Sequence, residues 1–146
     1  DQNSNNYYLS LKDYINSQNL KNKITFQKGL HRNELNEEYN QADLVISTSE
    51  TNSLDKVLLE AMACETLILT SNPSFSNVLQ NKKVTNCYCK SNKISDLKNA
   101  ILNFAMMKYE MRKNITKELR KIVLANHSLE KTIKKISSHL YEITSN

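Results

Sequence analysis

The chain has 146 residues and a mass of 16.9 kDa, a size at which one compact domain can fold without disulfide bonds or structural metal. Hydrophobic residues make up 39% of it, and no apolar run approaches the ~20 residues of a membrane-spanning helix. Composition therefore favours a globular domain and argues against a transmembrane segment within these residues. Because the chain begins with Asp1 instead of Met, we expect a fragment or a processed product.

Charge is distributed unevenly along the chain, which carries +5 in total. Residues 1–80 hold six Lys and Arg against ten Asp and Glu, whereas residues 81–135 hold fourteen against four. Such a basic block can face nucleic acid, an anionic membrane or an acidic substrate, and it can equally be the solvated surface of Lys-rich helices. We favour the solvated surface.

Three cysteines, Cys64, Cys87 and Cys89, do not form the even, spaced set that a disulfide framework requires. A structural zinc site needs four ligands, and the chain offers no second Cys pair beside Cys87 and Cys89. We therefore predict reduced thiols in a cytoplasmic compartment and no bound metal.

Helical and extended patterns alternate along the chain, which predicts an α/β fold with a mostly parallel, Rossmann-like sheet. The predicted strands, from β-branched or continuous apolar runs, are residues 24–26, 44–47, 67–69 and 87–89. The predicted helices, from apolar spacings of three and four, are residues 6–18, 33–41, 54–64, 73–79, 94–102, 111–122 and 129–140. We expect one partial domain, with an α/β core over residues 5–90 and C-terminal helices over residues 91–146 that pack on it.

The most informative segment is the polar loop and helix after the second predicted strand. The helix begins at the carboxyl edge of the sheet, where open α/β sheets bind ligands, and its N-terminus suits a phosphate or diphosphate. Glu60, one or two turns further on, would repel phosphate but can accept hydrogen bonds from a vicinal diol such as a ribose. Eight residues separate Asn52 from Glu60, about 12 Å along a helix. The two side chains could therefore hold opposite ends of a nucleotide sugar.

Residues 44–72 resemble the donor-binding half of family-4 (group 1) glycosyltransferases, which have the GT-B fold. That family shows a strand ending in P-S-x-x-E-G-F-G, a helix reading E-A-M-A-C-G and a strand reading P-V-I. Here Thr48-Ser49 stand at P-S, and Glu60-Ala61-Met62-Ala63-Cys64 match the helix letter for letter. Residues 24–29 resemble the family's V-x-F-x-G, and residues 34–43 its E-L…Y-x-x-A-D. The resemblance covers about residues 7–145.

The resemblance implies a retaining transfer of a hexose-type sugar from a nucleotide-diphosphate donor to a glycan or lipid-linked acceptor, as in polysaccharide biosynthesis. It implies no obligatory metal and no other cofactor. It further implies that this chain is the donor-binding half, which lacks the first strands of its sheet and the N-terminal acceptor domain and does not turn over alone. The catalytic residues stay unassigned.

The same resemblance implies roles for individual residues. Glu60 takes the place of the family's ribose-binding glutamate, and Asn52 that of the glutamate that contacts the donor sugar. The residues expected near the diphosphate are Ser53, Leu54, Asp55 and Lys56, and those expected near the nucleobase are Gly29, Leu30 and His31.

The chain also departs from the family pattern. Asn52 replaces the first glutamate, residues 53–55 stand where the family has G-F-G, Glu65 replaces the Gly after Cys64, and Leu67 replaces a Pro. An Asn can hydrogen-bond a sugar hydroxyl, though without charge assistance. We therefore expect either an altered donor sugar or reduced activity.

Several alternatives stay open. The first is a non-catalytic GT-B relative that lost donor chemistry, and Asn52 motivates it. The second is a basic nucleic-acid-binding module in residues 81–135, but this block lacks interleaved aromatics and we expect no nucleic acid. In an enzyme the same Lys-rich helices would favour a peripheral contact with anionic lipid. The site residues have structural alternatives as well. Glu60 can be a surface residue paired with Lys56, and the polar residues before the helix can be helix caps.

Overall fold

The computed structural model describes residues 2–144, apart from the side chains of residues 2–4, 32 and 144. The chain forms two compact units, residues 1–32 and residues 33–146. The functional grouping into a core over residues 5–90 and a tail over residues 91–146 stays a prediction.

Over residues 2–31 the first unit consists of one helix, α1 (Gln2–Ser17), and an irregular segment after it. Asn19 turns the chain with a φ of 54°, a left-handed conformation that Asn tolerates better than most residues. The strand predicted at residues 24–26 is wrong, because Phe26 packs edge-on against Tyr8 of α1, with ring centroids 4.9 Å apart. β-branched and aromatic residues favour a strand only where a neighbouring strand accepts their backbone hydrogen bonds.

The second unit is built around a β-α-β arrangement. Its first four elements are α2 (Arg32–Gln41), β1 (Val45–Ser47), α3 (Lys56–Ala63) and β2 (Ile68–Thr70). The two strands pair in parallel, with Val45 opposite Ile68 and Ser47 opposite Thr70. The predicted α/β fold with a small parallel sheet is therefore confirmed.

The sheet is narrower than the sequence predicts. Residues 87–89 do not form a full strand: a 3-10 helix, Thr85–Cys87, runs into a single parallel bridge between Thr70 and Tyr88. The helix predicted over residues 73–79 is likewise reduced to one 3-10 turn, Pro73–Phe75. Pro73 fixes its own φ for the start of that turn, and Asn72 caps it by accepting a hydrogen bond from the Ser74 amide at 2.9 Å.

The core of the second unit lies around β2, which is buried along its whole length. Helix α3 contributes Leu58, Ala61 and Met62, whose spacing of three and one places them on one buried face. This face packs against β1, β2 and the later helix α5 (Tyr109–Asn126). The remaining buried apolar residues are Tyr39, Leu67, Phe75, Leu79, Val84, Cys87, Phe104, Ile115, Leu119 and Val123.

Three helices follow in the described part of the chain: α4 (Ile94–Ala105), α5 and α6 (Leu129–Thr144). Each matches a helix predicted from the apolar periodicity. Helix α5 is buried along Ile115, Leu119 and Val123, whereas the described side chains of α6 are exposed. Nowhere in residues 2–144 is a helix both long enough and apolar enough to cross a bilayer.

Candidate functional site

The loop that connects β1 to α3 begins at the carboxyl edge of the sheet and is held mainly by its own hydroxyl groups. The hydroxyls of Ser49 and Thr51 lie 2.9 Å apart, and the Ser49 amide donates to Ser47 Oγ at 3.4 Å. From outside the loop, Asn72 Nδ2 donates to the Ser53 carbonyl at 2.9 Å. Asn72 is fully buried, so it fixes the second half of the loop to the end of β2.

Asp55 is the residue that immediately precedes α3. Its backbone is extended, with φ −71° and ψ 117°, and its carbonyl accepts hydrogen bonds from the amides of Leu58 and Leu59. Its side chain does not cap the helix; instead Ser47 Oγ donates to Asp55 Oδ2 at 2.7 Å. A carboxylate is thereby placed at the positive end of the helix dipole, where it stabilises α3 but repels a second anion.

Glu60 lies one turn into α3, and its side chain is exposed. The hydroxyl of Tyr39, near the end of α2, donates to Glu60 Oε2 at 2.9 Å. Burial, together with the hydrogen bond and the negative charge of Glu60, raises the pKa of Tyr39 to about 12. The hydroxyl is therefore protonated at neutral pH and acts as the donor in this contact.

The other predicted site residues of α3 and its loop differ in burial. Asn52, Ser53 and Lys56 are exposed, whereas Leu54 is half-buried against the core. Within the described residues the alternative ion pair between Lys56 and Glu60 does not form. Residues 52–60 thus form the second half of the loop and the start of α3. Their roles toward a donor stay predictions.

Gly29, Leu30 and His31 belong to the first unit, where all three are exposed. Gly29 does not have a positive φ, and a Cβ added to it would meet no described heavy atom within 4 Å. The described part of the fold therefore gives no steric reason for a glycine there. The nucleobase role of these three residues stays a prediction.

Metal-binding and thiol chemistry have little support in the geometry. Across residues 2–144 no group of three His, Cys, Asp or Glu side chains is placed to hold a metal ion. All three cysteines are free, and burial raises the pKa of the Cys87 thiol to about 12. Cys87 is therefore an unreactive thiol of the core.

Two clefts of the second unit have none of residues 52–60 in their lining, although Tyr39, which contacts Glu60, lines the second. One, of about 470 Å³, is lined by a mixture of polar and apolar side chains before and along α4, among them Asn99, Asn103 and Phe104. The other, of about 400 Å³, lies between the ends of α2 and α3 and the start of α5, and Arg112 and Lys113 line it.

Sequence reasoning did not assign a function to three residues that the structure places at the site. Tyr39 contacts Glu60, Ser47 contacts Asp55, and Glu50 accepts a hydrogen bond from Asn92 Nδ2 at 2.5 Å. Tyr39 is recognisable in the sequence, because it matches the Y of the family's Y-x-x-A-D pattern. The contacts themselves join residues 8 to 42 positions apart, and no local pattern predicts them.

Comparison with known protein families places this geometry in context. The family model described as glycosyl transferases, group 1, matches residues 4–122, which includes β1, β2, α3 and most of α5. The chain belongs to this family. The comparison with curated proteins gave no match, and the comparison with solved structures gave none either. As a group 1 glycosyltransferase domain, the chain functions in glycosyl transfer. Helix α6 lies beyond the matched residues.

Proposed function

We propose that this group 1 glycosyltransferase domain is the C-terminal, donor-binding half of a family-4 GT-B enzyme, and that Glu60 binds the ribose of a nucleotide-diphosphate sugar. The observation that carries the proposal is the placement of Glu60. It is an exposed carboxylate one turn into the helix that starts at the carboxyl edge of the parallel sheet. Its accepting oxygens suit two neighbouring hydroxyls, and its sequence context matches the family helix.

The rest of the proposal follows the family. The enzyme transfers a hexose-type sugar from the donor to a glycan or lipid-linked acceptor, with retention of the anomeric configuration. An N-terminal domain supplies the acceptor site. Asn52 contacts the sugar. We place the enzyme in the cytoplasm, with its basic helices as a contact for anionic membranes.

The experiment is a calorimetric titration of the intact protein with UDP and with GDP. We expect Glu60→Ala to weaken binding of the preferred nucleotide about 10- to 100-fold, because hydrogen bonds to a charged group are lost. Glu37→Ala, which removes an exposed carboxylate from α2, is the matched control and should leave the affinity unchanged. Wild-type affinity in Glu60→Ala would reject the proposal.

A second candidate is a non-catalytic relative, and Asp55 favours it. Its carboxylate lies at the start of α3, where the family has glycine and where a diphosphate would otherwise meet the helix N-terminus. Hydrolysis or transfer of a UDP- or GDP-sugar by the intact protein would exclude this candidate. Nucleotide binding without either reaction would support it.

A further inference from the structure

The contact between Tyr39 and Glu60 joins a buried side chain to an exposed one. Tyr39 is only 7% exposed, and Thr66 Oγ1 donates to its carbonyl at 2.8 Å. Its ring and backbone are thus held by the core between α2 and β2. Glu60, by contrast, is an exposed side chain with three rotatable bonds, and a free carboxylate of this kind samples many rotamers.

The hydrogen bond restricts the rotamers of Glu60 and leaves part of the acceptor capacity of its carboxylate available. Tyr39 donates to Oε2, and no described residue donates to Oε1. A carboxylate can accept about four hydrogen bonds, so the remaining lone pairs stay accessible to a ligand. A binding group that is already in its bound orientation loses less entropy when the ligand arrives.

We propose that Tyr39 is a positioning residue for the donor: its hydroxyl holds Glu60 Oε2 so that the rest of the carboxylate faces the ribose diol. This inference rests on the proposed function, since it assigns Tyr39 a role only through Glu60. The competing explanation is a purely structural one, in which the same hydrogen bond fastens α2 to α3 and has no effect on nucleotide binding.

Tyr39→Phe separates the two explanations because it removes the hydroxyl and keeps the ring in the core. The variant is titrated with UDP or GDP, whichever binds the wild type, and with the corresponding 2′,3′-dideoxynucleotide. We expect about two- to tenfold weaker binding of the ribonucleotide, the effect of one hydrogen bond. We expect no change for the dideoxynucleotide, which lacks the hydroxyls that Glu60 would bind.

Two further variants complete the design. In a Glu60→Ala background, adding Tyr39→Phe should weaken ribonucleotide binding no further, because the two residues act through one carboxylate. Thr66→Val removes the hydrogen bond to the Tyr39 carbonyl and leaves the hydroxyl in place. It should lower the melting temperature, and it should not change the affinity for the ribonucleotide relative to that for the dideoxynucleotide.

The outcomes distinguish the inference from the proposal beneath it. If Glu60→Ala weakens ribonucleotide binding and Tyr39→Phe does not, Tyr39 has no positioning role and the function stands. Equal weakening of ribo- and dideoxynucleotide by Tyr39→Phe also overturns the inference, in favour of the structural explanation. Wild-type affinity in Glu60→Ala overturns both. Should Tyr39→Phe not fold, a wild-type structure with the nucleotide decides: loss of the Tyr39–Glu60 bond on binding would contradict the inference.

Discussion

Helix α3 is flanked at each end by a residue that replaces a glycine of the family pattern, Asp55 before it and Glu65 after it. The two replacements differ in their backbone conformation. At the C-terminal end Glu65 keeps the backbone that glycine would have, with a φ of 58°. At the N-terminal end Asp55 has an ordinary φ of −71°, and its side chain is bonded to Ser47. We therefore expect the replacement at Glu65 to affect the stability of the fold and the replacement at Asp55 to affect what binds at the helix start.

The C-terminal end shows why Glu65 must adopt a left-handed conformation. The Thr66 amide donates to the Ala61 carbonyl at 2.9 Å, and the Glu65 amide donates to the Met62 carbonyl at 3.2 Å. This pair of bonds is the Schellman motif, which requires a positive φ at the residue after the cap. A side chain in that conformation costs roughly 1–2 kcal/mol relative to glycine.

The largest effect on this comparison should come from Glu65→Gly. We expect the free energy of unfolding to rise by about 1 kcal/mol, because the relief of strain exceeds the entropy that glycine adds to the unfolded chain. The measurement is a urea titration followed by circular dichroism. Glycine also removes the ion pair with Arg120, at 3.8 Å, but an exposed pair contributes little.

Glu65→Ala is the control for that prediction. It removes the same carboxylate and keeps the Cβ that causes the strain, so it should not stabilise the protein. If the Ala and Gly variants were equally stable, the charge of Glu65 and not its backbone would be the relevant feature, and the account of this helix end would be wrong.

A smaller effect is expected at the other end, from Asp55→Asn. The amide still accepts the Ser47 hydrogen bond, but the negative charge at the helix N-terminus is gone. We expect UDP or GDP to bind about two- to fivefold more tightly while the affinity for the nucleoside stays the same. Calorimetry with nucleotide and nucleoside measures the difference.

Asp43→Asn changes the net charge equally at the opposite, amino edge of the sheet, just before β1. It should leave nucleotide affinity unchanged. An equal gain in both variants would mean that overall charge, and not the position of Asp55, sets the affinity. No gain in either would show that the diphosphate does not approach the start of α3.

The sequence predicts the parts of this fold that depend on local patterns. Across residues 2–144, apolar spacing locates every α-helix to within four residues at either end, and continuous apolar runs locate β1 and β2. The strand at residues 24–26 is wrong because strand formation depends on a partner that composition cannot supply. The same limit applies at the site: Glu60 is recognisable from its neighbours, whereas its contact with Tyr39, 21 residues earlier, depends on how α2 packs.

A crystal structure of the intact protein with UDP or GDP would show directly whether Glu60 binds the ribose. We expect a ribose hydroxyl within about 3 Å of Glu60 Oε1, with Tyr39 still bonded to Oε2. A nucleotide bound elsewhere in the second unit, for example in the cleft beside Arg112 and Lys113, with Glu60 facing only solvent, would contradict this expectation.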